Sequence, residues 1–316
     1  MITVCGEALI DLVSTPGGRP PTYVAHPGGS AANVAVAAAR LGADTSLLAR
    51  VSNDAFGRMV REHVVGNGVS GRDLVGAAEP TTLAVATLDE AGRARYDFYS
   101  NGTADWQWSA AELPNPFAAD VTAFHTGSLA TVMGPGAVAV AALVEREHER
   151  GAVTLSYDPN IRPALVGDRD TALANVQALL RCFHVVKVSD EDLAWLLPGE
   201  KPLDVARRWR EYGPAVVVVT LGERGAIAVG PSGAEVAVTP RPVTVVDTVG
   251  AGDAFTAGLL TGLASAGLLD GGPAALATLD DATLRQVLDR AALVATLTCT
   301  RPGADPPTAA ELAALP

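Results

Sequence analysis

A nine-residue segment in the last third of the chain, Asp247–Phe255, combines a glycine-rich turn with a carboxylate. A glycine turn that leads into a helix directs several backbone N–H groups and the positive end of the helix dipole toward one point, where an anion can bind. A carboxylate at that point, Asp253, would repel a phosphate unless it has a chemical task. We interpret Asp253 as a general base that takes the proton of a hydroxyl attacking a phosphoryl group.

A second glycine turn, Pro27–Asn33, precedes an Ala-rich stretch that is typical of a helix. Its paired glycines, Gly28 and Gly29, permit positive φ and a close approach of a ligand to the backbone. Asn33 lies in the first helical turn and can both donate to and accept from a hydroxyl. The same pattern also fits an ordinary turn before a helix capped by Ser30, so both interpretations remain open.

Two further polar residues follow apolar strand-like runs. Asp11 comes shortly after Ile2–Cys5, and Arg162 lies in the proline-bounded loop after Val153–Tyr157. Ligands of open α/β sheets bind beyond the carboxyl ends of the strands, so Asp11 is a candidate acceptor for two polyol hydroxyls. Arg162 carries a rigid fork that suits phosphate, carboxylate or sugar oxygens. A surface acid and a solvated arginine are the competing interpretations.

The segment Thr220–Gly225 joins two apolar runs, and its glycines predict a hairpin. Its backbone and Thr220 are also candidates for lining a nucleotide site.

Two common nucleotide-binding motifs are excluded by the sequence. Only two of the 23 basic residues are lysines, Lys187 and Lys201, and neither follows a glycine, so a Walker-type loop is absent. Gly250 and Gly252 begin a G-x-G-x-x-G pattern, but Phe255 occupies the third glycine position. A dehydrogenase is therefore disfavoured.

Composition narrows the class of protein further. The chain has 316 residues, 48% of them apolar, which is enough for a large core. A formal net charge of −12 argues against nucleic acid and anionic membranes as partners. The three cysteines fit neither a disulfide framework nor a zinc site. Without a signal segment or a membrane-length apolar run, the expected location is the cytoplasm.

Short β-branched runs alternate with Ala/Leu-rich periodic segments, a pattern that indicates βα units around a mostly parallel sheet. The predicted strands are Ile2–Cys5, Ser46–Val51, Val121–His125, Val153–Tyr157, Val185–Val188 and Val216–Thr220. The predicted helices are Ala31–Leu41, Ala137–Arg150, Thr171–Arg181, Leu203–Tyr212, Asp253–Ala266 and Asp281–Thr298. Two pieces break this rhythm and predict a separate small sheet: a hairpin of Leu83–Leu88 with Ala94–Tyr99, and the extended segments Asp11–Val13 and Thr22–Ala25 around a loop at Pro16–Pro21.

Taken together, the blocks Gly28–Gly42 and Asp247–Phe255 resemble the two signatures of the ribokinase-like (PfkB-type) carbohydrate kinases, and the resemblance covers nearly the whole chain. Within that family, the segments Asp158–Pro163, Tyr96–Trp106 and Cys299–Ala304 are similar to those of bacterial fructokinases. The resemblance implies one kinase domain over residues 1–316, with a Rossmann-like core and a β-sheet lid at about 11–26 and 82–105. It also implies ATP and Mg²⁺ as cofactors and a sugar hydroxyl as acceptor.

The resemblance implies a role for each matching residue. Asp253 is the base, and the N–H groups of Gly250, Ala251, Gly252 and Asp253 form the anion hole. The sugar-binding residues implied are Asp11, Gly28, Gly29, Asn33, Tyr96, Phe98, Asn160 and Arg162. The nucleotide-facing residues are Lys187, Ser189, Thr220, Gly222 and Gly225. A monovalent cation such as K⁺ falls by position on Asp247, Val249, Thr298 and Gly303.

The chain departs from the family at its Asn-x-x-Glu motif, which here reads Ser189-Asp190-Glu191-Asp192. Ser189 and Asp192 keep oxygen ligands for a hydrated Mg²⁺, with Asp192 acting indirectly. Lys187 is a candidate phosphate-facing cation, or a structural charge at the end of a strand. In the nucleotide loop, Arg224 stands where lysine is common.

The expected reaction is phosphorylation of fructose to fructose 6-phosphate. The rival acceptor is 2-keto-3-deoxygluconate, whose carboxylate would pair with Arg162, and a sugar-binding regulator on the same fold is the alternative from another class. Apolar faces on the small sheet also predict a homodimer formed through the lid.

Overall fold

The computed structural model describes residues 1–15, 22–88 and 94–315. The loop at Pro16–Pro21 and the turn at residues 89–92 lie outside the described residues. The strands, in chain order, are β1 (Ile2–Cys5), β2 (Leu9–Ser14), β3 (Tyr23–Gly28), β4 (Thr45–Ser52), β5 (Leu74–Ala77), β6 (Leu83–Leu88), β7 (Ala94–Tyr99), β8 (Ala123–Gly127), β9 (Thr154–Asp158), β10 (Val185–Ser189), β11 (Val216–Thr220), β12 (Ala226–Val229) and β13 (Glu235–Val238).

The main sheet has the strand order β13-β12-β11-β10-β9-β8-β1-β4-β5 in the described part of the chain. All its neighbours pair in parallel except β11–β12 and β12–β13, which are antiparallel. Chain order reverses at β1, which lies between β4 and β8. Such a switch point opens a crevice at the carboxyl ends of the strands, where α/β proteins bind ligands.

Helices cover both faces of this sheet. They are α1 (Ser30–Arg40), α2 (Ala55–Gly66), α3 (Ser128–Val132), α4 (Ala137–Arg150), α5 (Pro163–Val166), α6 (Arg169–Leu180), α7 (Asp190–Leu196), α8 (Pro202–Glu211), α9 (Ala251–Ser265), α10 (Pro273–Leu276), α11 (Asp281–Thr298) and α12 (Ala309–Ala313).

Each face of the main sheet has its own apolar core. Along β11, Val216 and Val218 join the core under α1, α9 and α11, whereas Val217 and Val219 join the core under α4, α6 and α8. Successive side chains of a strand point to opposite faces, so an uninterrupted apolar run is what a strand covered on both sides requires.

The small sheet has the order β3-β2-β6-β7, with β2 and β6 in parallel and the other pairs antiparallel. Only residues 6–8 separate β1 in the main sheet from β2 in the small one. Asp11 pairs with Ala84, which in turn pairs with Phe98, so Asp11 and Phe98 share one face of the small sheet.

The predicted α/β class with a separate small sheet is therefore confirmed, and most predicted elements begin and end within two residues of the observed ones. The predicted cap of α1 is wrong. Gly29 is the N-cap residue, no side chain caps it, and Ser30 is the first residue of the helix. The prediction also missed α2, although Asp54 caps it by accepting the N–H of Gly57.

None of the helices in the described residues is both long and apolar enough to cross a membrane. All three cysteines are free, and two of them, Cys5 and Cys182, are buried.

Candidate active site

The carboxyl ends of the parallel strands bring several predicted residues to one edge of the main sheet. Asp158 is the last residue of β9, Ser189 of β10 and Thr220 of β11. Ser189 and Thr220 are direct register partners. Residues from distant parts of the chain therefore face the same crevice because parallel strands end at a common edge.

The N-terminus of α9 borders this crevice. Gly250 is its N-cap residue with φ of 74°, and a Cβ at this position would lie 2.5 Å from the Cβ of Ala304. Only glycine fits such a turn. The Ala251 N–H bonds the Thr248 carbonyl at 3.2 Å, whereas the N–H groups of Gly250, Gly252 and Asp253 have no acceptor among the described residues. Three of the four predicted anion-hole donors are thus available to a ligand.

The Asp253 carboxylate is held from one side by α1. Its Oδ1 accepts the hydroxyl of Ser30 at 2.6 Å, and its Oδ2 accepts the side-chain N–H of Asn33 at 2.9 Å. Burial raises the pKa of Asp253, while these two hydrogen bonds and the charge of Lys187 oppose that rise. A carboxylate in this balance is suited to act as a base.

A buried ion pair lies beneath the anion hole. The Lys187 Nζ donates to Asp158 Oδ2 at 2.8 Å, and both side chains are almost fully buried. Burial by itself lowers a lysine pKa, but Asp158, with Asp192 and Asp253, holds the pKa of Lys187 above its ordinary value. A Cβ on Gly252 would lie 3.2 Å from Nζ. The fixed ammonium therefore lies close to Gly252, at the helix end that offers the free N–H groups.

The Ser189–Asp192 motif forms the N-terminus of α7. The Ser189 hydroxyl accepts the Asp192 N–H at 3.0 Å, and an Asp192 oxygen accepts the Ser189 N–H at 3.4 Å. The other Asp192 oxygen accepts the N–H of Ile161 at 3.0 Å. Burial and the charge of Asp158 raise the pKa of Asp192. Asp192 therefore ties the loop after β9 to α7, and its predicted role toward Mg²⁺ stays a prediction.

The small sheet brings Asp11 to the opposite wall of the crevice. Burial raises the pKa of Asp11 to about 6; His26 and Arg162 oppose the rise, and Asp253 adds to it. A Cβ on Gly28 would lie 2.1 Å from Asp11 Oδ2, and one on Gly29 would lie 2.5 Å from the Glu7 carbonyl oxygen. Glycine is required at both positions, because a side chain would clash with the Asp11 carboxylate at Gly28 and with the Glu7 backbone at Gly29.

Two aromatic residues of β7 share the face that carries Asp11. The rings of Tyr96 and Phe98 stack with centroids 6.2 Å apart. Burial, followed by the charges of Asp11 and Asp247, raises the pKa of Tyr96, and Arg162 opposes the rise. The tyrosine hydroxyl is therefore within electrostatic range of both walls of the crevice.

The loop after β9 completes this region. Arg162 is exposed and donates to its neighbour's carbonyl, at Ile161, at 3.1 Å. Asn160 has a φ of 39°, the only positive φ among the described non-glycine residues. Such strain is typical of functional sites.

The nucleotide-loop residues lie beyond β11. The hairpin predicted there is confirmed: a short 3₁₀ turn, Gly222–Arg224, links β11 to β12. Gly222 and Gly225 have φ of 57° and 93°. Arg224 pairs with Asp190 at 2.6 Å, which connects this loop to α7.

Three of the four predicted cation residues meet at Asp247. Its carboxylate accepts the N–H groups of Val249 at 3.1 Å and Gly303 at 2.8 Å. The carbonyls of Thr298 and Gly303 accept the N–H groups of Arg301 and Asp305, respectively. Two loops are thus joined at one carboxylate, with carbonyl oxygens nearby.

Sequence reasoning missed two buried carboxyls at the junction of the sheets. Glu7 accepts the Ser30 N–H at 3.0 Å, and Asp105 accepts the Ala8 N–H at 2.8 Å. Burial raises the pKa of Glu7 to about 7 and that of Asp105 to about 6. An acid between two apolar runs, as at Glu7, was the available signal. Asp105 offered none, because its partner lies 97 residues away.

The geometry of the site thus combines a part-buried carboxylate, three free N–H groups and a fixed ammonium.

A model of the pfkB family carbohydrate kinases matches residues 1–311. The chain belongs to this family. It is therefore a phosphotransferase with a hydroxyl acceptor. A fructokinase from Rhizobium leguminosarum bv. trifolii is 35% identical over 289 residues, which is 90% of this chain and 86% of that protein.

Two solved fructokinase structures are also similar to this chain. The fructokinase from Xylella fastidiosa with bound ATP has a TM-score of 0.87 and 28% identity, covering 96% of this chain and 93% of that one. A fructokinase double mutant from Vibrio cholerae O395, bound to fructose, ADP and a potassium ion, has a TM-score of 0.81 and 29% identity, covering 96% and 93%.

Proposed function

We propose that this sugar kinase transfers the γ-phosphoryl group of ATP to fructose and forms fructose 6-phosphate. The observation that carries the proposal is the position of Asp253, whose carboxylate lies at the helix end that offers three free N–H groups. Asp253 takes the hydroxyl proton while these N–H groups and Lys187 neutralise charge on the transferring group. The relatives named as fructokinases support fructose as the acceptor.

The sugar lies between the small sheet and α1 in this proposal. Asp11 accepts hydrogen bonds from two hydroxyls, and the backbone at Gly28 and Gly29 allows close contact. Asn33 donates to Asp253, and its side-chain carbonyl oxygen, which has no donor among the described residues, can accept from a hydroxyl. The remaining contacts come from Tyr96, Phe98, Asn160 and Arg162.

ATP lies along the carboxyl ends of β10 and β11. Thr220, Gly222 and Gly225 contact the nucleotide, and Lys187 and Ser189 face its phosphates. When bound, Mg²⁺ would neutralise phosphate charge, and Asp192 would hold the hydrated ion indirectly. The carboxyl and hydroxyl oxygens at Ser189 and Asp192 fit this hard cation.

We also propose a K⁺ site at Asp247, Val249, Thr298 and Gly303. Backbone carbonyl oxygens and one carboxylate suit a monovalent cation, and the potassium ion in the Vibrio structure supports this choice. Bound there, K⁺ would hold the loop before α9 against the loop after α11, and so fix the anion hole.

The small sheet acts as the lid, and two copies of the chain pair through it. Four described apolar side chains on the small sheet are exposed: Tyr23, Val24, Tyr96 and Tyr99. The outer strands of this sheet are β3 and β7, and pairing of two chains would cover these edges.

We keep the cytoplasm as the proposed location because the cysteines are free thiols.

An acceptor panel tests the proposed function. Purified enzyme with MgATP is offered fructose, 2-keto-3-deoxygluconate, ribose and adenosine, and the products are identified by mass, where one phosphoryl group adds about 80 Da. We expect fructose to give the highest kcat/KM, and K⁺ to support faster turnover than Li⁺. A preference for the keto-acid would overturn fructose, and binding of sugar with no phosphorylation would identify a regulator instead.

A further inference from the structure

Ser30 connects two carboxyls that belong to different parts of the chain. Its hydroxyl donates to Asp253 Oδ1 at 2.6 Å, and its N–H donates to Glu7 Oε1 at 3.0 Å. Ser30 and Asp253 lie 223 residues apart in sequence. The contact exists because the first turn of α1 meets the first turn of α9.

Glu7, the acceptor of the Ser30 N–H, lies in a buried position. Glu7 follows β1 directly and is only 5% exposed. Its carbonyl oxygen accepts the Ala32 N–H at 3.4 Å, so both its side chain and its backbone hold the start of α1. The backbone at Ser30 is therefore held in place beside Asp253.

We propose that Ser30 is a positioning residue for Asp253 and that Glu7 anchors it. The inference rests on the proposed role of Asp253 as the base. Nothing in a helix start requires this arrangement, because the Ser30 hydroxyl does not cap α1. Its only described partner is the carboxylate.

Positioning follows from the hydrogen-bond capacity of a carboxylate. The group has two oxygens and about four acceptor sites. Ser30 and Asn33 occupy one site on each oxygen, which fixes the plane of the carboxylate and leaves a site on each oxygen for the substrate hydroxyl. A catalytic group must be held in this way because small misorientations cost rate.

The same contact favours the ionised form of Asp253, since a hydroxyl donor stabilises a carboxylate. Other charged groups act on this carboxylate from each neighbouring element. They are Lys187 on β10, Asp158 on β9, Asp11 on β2, Glu7 after β1, and Asp105 beyond β7 through its effect on Glu7. Any titration must therefore be compared between variants rather than assigned from one curve.

The test uses Ser30→Ala, which loses the donor, and Ser30→Thr, which keeps it. Ser265→Ala is the matched control: it removes a hydroxyl from α9 itself, whose one partner among the described residues is the Thr261 carbonyl, at 2.8 Å. We expect kcat of Ser30→Ala to fall about 10-fold with little change in KM for the sugar, since one charge-assisted hydrogen bond is lost. The acidic limb of its kcat profile should move to higher pH. Ser30→Thr should restore both, and Ser265→Ala should change neither.

A double-mutant cycle tests the anchor. Glu7→Met removes the acceptor of the Ser30 N–H, and Glu7→Gln keeps it. If Glu7 acts only through Ser30, the double variant of Glu7→Met and Ser30→Ala should have the same kcat as Ser30→Ala alone. If the two substitutions lower kcat by independent factors that multiply in the double variant, the anchoring role of Glu7 is refuted.

Titration of the Asp253 carboxyl separates this inference from the proposed function. Carboxyl ¹³C signals of the sugar-free protein are followed against pH, with Asp253→Asn to assign the resonance. We expect Asp253 to titrate at higher pH in Ser30→Ala than in the wild type. Equal titration, or an unchanged kcat, would refute the positioning role. If the wild type phosphorylates no sugar, the proposed function fails, but this titration still decides the role of Ser30.

Discussion

Lys187 shows how a single residue can serve both folding and chemistry. Its ammonium is buried against Asp158 and lies close to Gly252 in the first turn of α9. A buried charge is costly unless it is paired, and the pair is tolerated here because both groups have a partner. The positive charge is thereby held where a phosphoryl group would arrive.

Lys187→Met should destabilise the protein by about 3–5 kcal/mol, because it leaves Asp158 buried without a counter-charge. Urea unfolding measures this. Lys201→Met is the matched control, since the chain's other lysine is exposed and its loss should cost within about 0.5 kcal/mol. Equal stability of the two variants would show that the buried pair contributes nothing.

At the residue scale, sequence reasoning found the groups that stand next to a glycine turn or at a strand end. Asp253, Asp11 and Arg162 all had such local signals. It could not find the Ser30–Asp253 contact or the Asp105–Ala8 bond, because each joins segments about 100 or more residues apart. Ser30 was interpreted as a cap since a helix start is a local pattern and a distant partner is not.

The glycine turn before α9 is the element on which the anion hole depends. Gly250 combines a positive φ with a close neighbour, Ala304, and the turn is held from behind by the bonds of Asp247. This element positions the donors in advance, which is how such sites stabilise charge in a transition state.

Gly250→Ala should lower both stability and turnover. We expect a loss above about 2 kcal/mol from strain plus the clash with Ala304, and at least a 10-fold fall in kcat as the N–H groups move. Gly267→Ala is the control. Gly267 follows the C-cap residue of α9, with a φ of 71° and open space around it, so replacing this glycine should cost about 1 kcal/mol and leave kcat unchanged. Equal kcat in both variants would contradict the role of the turn.

Elements with a regular apolar pattern were the easiest to predict at this scale. The bounds of Ala137–Arg150, Asp281–Thr298 and Val216–Thr220 agree with the structure, because periodic or uninterrupted apolar runs decide them. The helix Ala55–Gly66 was missed, since its buried face is narrow: Gly57, Val60 and Val64.

At the scale of the whole molecule, buried carboxyls help to join the small sheet to the main sheet. Asp105 links the starts of β2 and β6 by accepting from the Ala8 N–H and the Thr82 hydroxyl. Glu7, beside it, holds the start of α1. These two carboxyls therefore hold together the starts of β2, β6 and α1, where the small sheet meets the main sheet.

Exposed aromatics on the small sheet lead us to expect a dimer at micromolar concentration in sedimentation equilibrium. Tyr99→Asp should dissociate it, because Tyr99 is 63% exposed on the edge strand β7 and a charge there opposes burial. Tyr212→Asp is the control, since Tyr212 is 41% exposed on α8's side of the molecule. A monomeric wild type would rule out pairing through the small sheet.

The most direct test of the central claim is turnover of Asp253→Asn with MgATP and fructose. If Asp253 is the base, kcat should fall by about 10²- to 10⁴-fold while the Kd for fructose, measured by calorimetry, changes only a few-fold. Near-normal kcat in Asp253→Asn would show that another group removes the proton, and the proposed mechanism would then be wrong.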